Sequence, residues 1–283
     1  MIRGLYTSTS AMLLESTRQD IVSNNIANVD TPGFKLDRLA VKTEPEYNIH
    51  RIDDHKMERV RLGIEPSPFV GKMGTGVAVK QRYTDHSQGN LVPTNNEFDL
   101  ALQGEGFFLI DTPQGVRLTR AGTFHSNNDG DLVDGNNNKV LSVSANVNLN
   151  ANLPLITENG DLGITASTIK LNEEEKFGVG KDGLVFEGTE PTDRIITVKF
   201  DNPEYLHKTG DNYYAYSDKR AGIGRYAADT TIQQGNIEKS NVKSIDEMVK
   251  MIMLYRSFEM NQKLIQTQDE ELGRAVNNIA RLG

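Results

Sequence analysis

Residues 244–280 read SIDEMVKMIMLYRSFEMNQKLIQTQDEELGRAVNNIA, a stretch without proline. Within it Met248, Met251, Tyr255, Phe258, Gln262, Ile265, Asp269, Leu272, Val276 and Ile279 step by three and four without a slip. That period predicts a long helix with one face seeking a partner. Ser244-Ile245-Asp246-Glu247 fits a capping box: the Ser hydroxyl accepts an amide three residues on and Glu247 reaches back. Asp246 and Glu247 also set negative charge at the positive end of the helix dipole. A helix over 245–280 is about 54 Å long at 1.5 Å per residue. A small globular domain seldom needs such a rod. Gln262 and Asp269 sit inside the seam, where polar residues cost stability and set register. Met248, Met251, Met253 and Met260 suit an adaptable packing surface. The plainer reading is a core helix.

The other end of the chain has the same character. All nine prolines lie between Pro32 and Pro203, and of 25 glycines only Gly4, Gly273 and Gly283 fall outside 33–235. Leu5, Thr9, Met12, Ser16, Gln19, Ser23 and Ile26 repeat the 4-3 spacing, with Ile2, Leu13 and Val22 beside them. The stripe is thin. At roughly 1.5–3 kcal/mol per fully buried large apolar side chain, its few anchors cannot hold a helix folded in isolation. This helix is therefore expected to be ordered only when docked. Thr31-Pro32-Gly33 ends it, since Pro32 pushes Thr31 out of helical geometry and Gly33 permits a turn.

Between the ends the chain is punctuated like a β domain. Residues 34–83 are expected to be an extended, irregular connecting segment with little core, including a mixed-charge run from His50 to Arg61. From 84 to 235 short apolar runs alternate with turns. Phe98-Asp99-Leu100-Ala101-Leu102 alternates, and Gly104-Glu105-Gly106 leads into Phe107-Phe108-Leu109-Ile110. Asn128-Asp129-Gly130 and Lys181-Asp182-Gly183 each sit between apolar runs, a strong hairpin signal. Ile195–Phe200 and Tyr213–Tyr216 read as further strands. The fold class expected is mainly β with terminal α-helices. Segments 1–33 and 236–283 would form a coiled-coil-like helical core domain, and 84–235, central in the chain, an all-β domain.

Composition narrows the chemistry. The net charge of -8 supplies no large basic face and argues against nucleic-acid binding. There is no cysteine, so disulfides and Cys-ligated metals are excluded. The longest apolar runs, such as Met251–Tyr255, fall far below the ~20 residues that span a bilayer, so no membrane insertion is expected. Met1–Ser8 has no apolar h-region, and composition alone leads to the expectation of a cytoplasmic chain or one exported by a route that reads no cleaved signal. His50, His55, His86, His125 and His207 are scattered, and no His-Glu-x-x-His, P-loop or Gly-x-Ser-x-Gly run occurs. Asn127–Asp131 faintly resembles a calcium loop, but aligned on its Gly the first and twelfth positions are His125 and Asn136. The expectation is no enzyme, no metal, no cofactor and no small-molecule substrate.

Four runs together resemble one family. Ser23-Asn24-Asn25-Ile26-Ala27-Asn28-Val29-Asp30-Thr31-Pro32-Gly33-Phe34-Lys35 resembles the signature of bacterial flagellar rod and hook proteins. Ser87–Leu91 with Phe98–Phe108 resembles the start of that family's β domain. Leu118–Phe124 with Asp129–Val133 resembles its next hairpin. Gln234–Val242 through Glu247–Val249 and Arg256–Asn261 resembles its C-terminal helix. The runs occur in the family's order, while 142–225 carries little of its signature. Ala11 stands where many members have Gly. In the motif Asn25, Ala27, Asn28, Thr31, Gly33 and Phe34 are the positions carried over.

The resemblance implies a structural subunit of the basal-body rod, of proximal-rod or distal-rod type, since the chain is short for a hook protein. Such a chain would leave the cytoplasm unfolded through the flagellar export apparatus of type III. It would then polymerise outside the cytoplasmic membrane with copies of itself and other rod proteins. Leu5, Met12, Ile26, Met248, Met251, Tyr255, Phe258, Ile265, Leu272, Val276 and Ile279 would form the subunit interface, through head-to-tail contacts that propagate as an open helix. Two other classes compete. One is a secreted adhesin whose β domain holds a ligand, anchored by its helices. The other is an enzyme with an unmarked carboxylate site, for which no constellation appears.

Overall fold

A computed structural model of the protein describes residues 2–44, 46–50, 69–147, 153–157, 162–171, 177–188 and 190–280. Residues 51–61 of the mixed-charge run, and the side chain of Ile279, lie outside the described part. The chain is mainly β with two helices, α1 (Ile2–Ala27) and α2 (Ser244–Ala280), flanking a central β domain. It divides into two compact units. The helical unit comprises residues 1–24, 37–82 and 245–283, and the β unit comprises 25–36 and 83–244.

In the helical unit, α1 shields a line that steps Gly4, Ser8, Ala11, Glu15, Arg18, Val22, with Leu14 and Ile21 beside it; Ser8, Leu14, Glu15, Ile21 and Val22 are buried. This is the expected 4-3 period displaced by one residue from the line through Leu5, Met12 and Ile26. The displaced line is made of small and polar side chains. A Cβ added at Gly4 would stand 2.6 Å from Gln268 Nε2 of α2. A side chain at residue 4 would have to displace the end of the Gln268 side chain. On a neighbouring face Thr7 Oγ1 donates to the Thr75 carbonyl at 2.7 Å and Ser10 Oγ accepts from the Val77 amide at 3.3 Å.

Residues 37–43, 46–50, 69–74 and 77–84 form paired strands, where irregular chain was expected. Asp37–Thr43 pairs with Val77–Thr84, and Glu46–His50 runs antiparallel to Phe69–Gly74. Val77-Ala78-Val79-Lys80-Gln81-Arg82-Tyr83 is rich in β-branched and long side chains, which suit a half-exposed ribbon. The hairpin of Glu46–His50 and Phe69–Gly74 leaves Tyr47, Ile49, Phe69, Val70 and Met73 exposed.

In the β unit the main sheet runs in the order Pro154–Ile156, Gly224–Tyr226, Thr197–Lys199, Phe107–Thr112, Lys139–Ser144, Glu190–Ile195, Leu184–Glu187, Phe177–Val179. The strand Phe107–Thr112 is central and almost wholly buried. Its alternate residues enter two cores: Phe107 and Leu109 join one with Val143, Ile196, Val198 and Tyr214. Phe108 and Ile110 join the other with Leu100, Leu132, Val140 and Val185. A strand covered on both faces needs an unbroken apolar run, which Phe107-Phe108-Leu109-Ile110 supplies. Each such side chain contributes about 1.5–3 kcal/mol. Both Asp-Gly sites turn as expected: Gly130 (φ 77°) lies between Phe124–Ser126 and Leu132–Asp134, and Gly183 (φ 81°) between Phe177–Val179 and Leu184–Glu187.

Candidate functional site

The face of α2 that the helical unit shields is a strict heptad line: Glu247, Met251, Leu254, Phe258, Asn261, Ile265, Gln268, Leu272, Ala275. Met251, Phe258, Ile265 and Leu272 of the expected seam are on it. The other half of that seam, one residue further on at each step, is outside. Met248 is 52% exposed, Tyr255 58% and Val276 64%. Two of these continue a second line, Ile245, Met248, Ile252, Tyr255, again stepping 3-4-3, with exposures of 75%, 52%, 54% and 58%. A helix thus carries two apolar stripes, one covered and one bare. Leu5, Met12 and Ile26 of α1 are half-buried, while Tyr6 and Leu13 are 70% and 67% exposed.

The covered side is itself imperfect. Glu15 Oε2, Gln19 Nε2 and Gln268 Oε1 are buried without hydrogen-bond partners among the described residues. Each such group costs about 1–3 kcal/mol. No helix is long and apolar enough to cross a membrane among the described residues.

The segment after α1 enters the β unit through a buried ionic clasp. Successive turns tighten the chain: the Asn28 amide donates to the Asn25 carbonyl at 3.2 Å and the Thr31 amide to the Asn28 carbonyl at 3.3 Å. Thr31 Oγ1 donates to Asn28 Oδ1 at 3.1 Å. Asn25 is buried and Ala27 exposed. Gly33 adopts φ 69°, its amide donates to the Glu238 carbonyl at 2.8 Å, and an added Cβ would stand 2.4 Å from the Ala121 amide nitrogen. Phe34 packs with Leu36 and Val242. Next in the chain, Lys35 Nζ lies 2.6 Å from Glu238 Oε1, and Arg120 Nε lies 2.6 Å from Glu238 Oε2. All three side chains are at most 4% exposed. The Gly89 amide also donates to Glu238 Oε1 at 2.7 Å, and Lys35 Nζ to the Ser87 carbonyl at 2.7 Å. Burial pushes the Lys35 amine below the usual lysine range, against the pull of Glu238. Lys208 Nζ caps the group, donating to the Lys35 carbonyl at 2.6 Å and lying 4.0 Å from the Phe34 ring centroid.

His86 adjoins the clasp, 5.4 Å from the Phe107 ring and 5.3 Å from Tyr214 between centroids. Its pKa is lowered to about 4, first by burial, then by the charges of Lys35 and Lys208 and less by Arg120, with the Pro203 carbonyl pulling the other way. Sequence reasoning quoted Lys35, Arg120 and Glu238 inside motifs without assigning them a role. Their pairing across the chain leaves no local pattern. The clasp has no open face for a substrate; its chemistry is that of a fastening.

Three stretches match described families. Residues 5–35 match "Flagella basal body rod protein", residues 101–186 match "Flagellar hook protein FlgE/F/G D1 domain", and residues 233–279 match "Flagellar basal body rod FlgEFG protein C-terminal". Full-length similarity points the same way. The chain is 33% identical to the flagellar basal-body rod protein FlgG of Bacillus subtilis, over 98% of this chain and 99% of the relative. It is 31% identical to the flagellar basal-body rod protein FlgF of Caulobacter vibrioides, over the whole of both chains. It is also 31% identical to FlgG of Borreliella burgdorferi, over 99% of this chain and 100% of that one.

Proposed function

The chain belongs to the flagellar basal-body rod protein family, and from that premise we propose how it works as a structural subunit of the rod. The observation that carries the reading is the bare second stripe of α2: Ile245, Met248, Ile252 and Tyr255, each more than half exposed. Covering the exposed half of four such side chains is worth roughly 3–6 kcal/mol before association costs. A neighbouring terminal helix of like period would cover it in coiled-coil fashion. The half-buried Leu5, Met12, Ile26, Met251, Phe258, Ile265 and Leu272, and the exposed Val276, then form the rest of the contact, with Ile279 beyond.

In this reading residues 1–33 and 236–283 are the assembling core, 34–83 the connector and 84–235 the outer domain. The partners are copies of the chain and other rod proteins. The chain is passed out through the flagellar export apparatus without signal cleavage, and it assembles in the basal body. Nothing in the clasp or the helices is arranged for catalysis, and the role is mechanical. The test is a chain carrying Met248→Asp and Tyr255→Asp in a strain lacking the wild-type gene. Loss of rods and motility with the β unit still folded supports the proposal; normal rods overturn it.

A further inference from the structure

The end of the β unit carries a cleft apart from the bare stripe of α2. Three hairpin turns converge on it: Pro113-Gln114 after the strand Phe107–Thr112, Gly135–Asn138 after Leu132–Asp134, and Asp211-Asn212 after His207–Gly210. The cavity measures about 470 Å³. Ligand clefts span on the order of 300–1,000 Å³.

Its floor is preorganised. The Tyr213 hydroxyl donates to an Asp134 carboxylate oxygen, and accepts from Asn136 Nδ2 at 3.1 Å and Asn138 Nδ2 at 2.9 Å. The other Asp134 oxygen accepts the Asn136 and Asn138 amides, both at 2.9 Å. Burial first, and Asp134 second, push the Tyr213 phenol up, so it stays protonated and keeps donating. Because its one proton goes to Asp134, both asparagines must turn their NH2 groups toward it. Their carboxamide oxygens are then left as acceptors for a guest.

Around this floor stand Gln114, the Arg117 guanidinium and the Asp211 carboxylate. Donors and acceptors are interspersed, Arg117 faces the two carboxylates of Asp134 and Asp211, and no large aliphatic side chain lines the space. An acyl chain finds no apolar wall there, and a phosphate-dense ligand finds one cation opposed by two anions. A ligand whose every hydroxyl is both donor and acceptor fits.

We propose that this cleft binds a segment of a neutral glycan, with Asn136, Asn138, Gln114 and Arg117 as its hydrogen-bonding residues. The proposal is independent of the assembly reading, because the cleft belongs to the β unit and the bare stripe to the helical unit. The test titrates the isotope-labelled full chain with chitotetraose and, separately, with maltotetraose, to millimolar concentration. Shifts of the Asn136 and Asn138 side-chain amide signals are expected, with at least tenfold weaker binding in Arg117→Ala and Gln114→Ala and unchanged melting. A response to chitotetraose alone supports an acetamido glycan, and a response to both supports a general polyol site. Silence with both sugars overturns the proposal. So do shifts that persist unweakened in both variants, or the same signals moving only with protein concentration, which would make the cleft a protein contact.

Discussion

Glu238 is paired with Lys35 at 2.6 Å although 203 residues separate them, and neither side chain is more than 2% exposed. With Arg120 on its second oxygen, the one carboxylate balances two buried cations. Removing it leaves both charges without a counter-ion, and breaking such a pair costs about 3–5 kcal/mol. Glu238→Gln is therefore expected to lower the melting temperature of the β unit by on the order of 10 °C. Calorimetry on the purified chain measures this, and a shift of only a degree or two would show the clasp to be dispensable.

Gly33 and Gly273 make opposite predictions for the same substitution. At Gly33 the backbone has φ 69° and a Cβ would collide with the Arg120–Ala121 peptide, at 2.5 Å from the Arg120 carbonyl carbon. The left-handed conformation alone costs an L-residue about 1–2 kcal/mol, and the collision adds to it. Gly273 lies in α2 with nothing within 4 Å of an added Cβ. Alanine there should stabilise the helix by about 0.8–1 kcal/mol. Denaturant titration should find Gly33→Ala destabilised by more than about 2 kcal/mol, while circular dichroism should show increased helicity for Gly273→Ala. Equal effects at the two sites would contradict the geometry.

How much of this was legible in the sequence follows from where the information sits. Both helices were, because a 3-4 period over many turns has no other explanation. Their shielded faces were less so. The line through Leu5, Met12 and Ile26 follows the large side chains, whereas the buried positions Ser8, Glu15 and Val22 lie on the neighbouring line, with Gly4 and Ala11 partly shielded between them. Close helix approach selects small residues, and counting apolar ones points one position away. The hairpins at Gly130 and Gly183 were legible through their Asp-Gly dipeptides. The order of strands around Phe107–Thr112, and the meeting of Lys35, Arg120 and Glu238, were not. They depend on contacts between residues far apart in the chain, to which local pattern is blind.

His86 gives the fold an acid sensitivity with a definite sign. Its pKa is about 4 in the folded chain and 6.5 ordinarily. Between those values the unfolded chain holds the extra proton, so stability rises with pH through that window and is fully present above about 7. The loss on going from pH 7 to below 4 amounts to about 3 kcal/mol. Replacing His86 with Phe, which suits the Phe107 and Tyr214 rings, should remove this component. The difference in unfolding free energy between wild type and His86→Phe should be flat above pH 7 and change steadily below 6.5. A difference independent of pH would rule out the titration of His86 as its source.

The bare stripe of α2 and the two-faced core of the β unit predict different resistance to attack. Opening the β unit exposes Phe108, Leu109 and Ile110, each fully buried, so local opening there approaches the cost of global unfolding. Opening the ends of α1 and α2 exposes less, since Tyr6, Leu13, Met248, Ile252, Met253 and Tyr255 are already in solvent. Limited proteolysis of the dilute chain, read by mass spectrometry, should therefore remove sequence from 1–24 and 245–283 first and leave a resistant fragment within 83–244. In assembled rods the same terminal sites should become protected, because the neighbouring copies cover the stripe. If the termini of the dilute chain resist cleavage as long as the β unit does, the helices already have all the partners they need. Assembly through that stripe would then be the wrong account of why it is apolar.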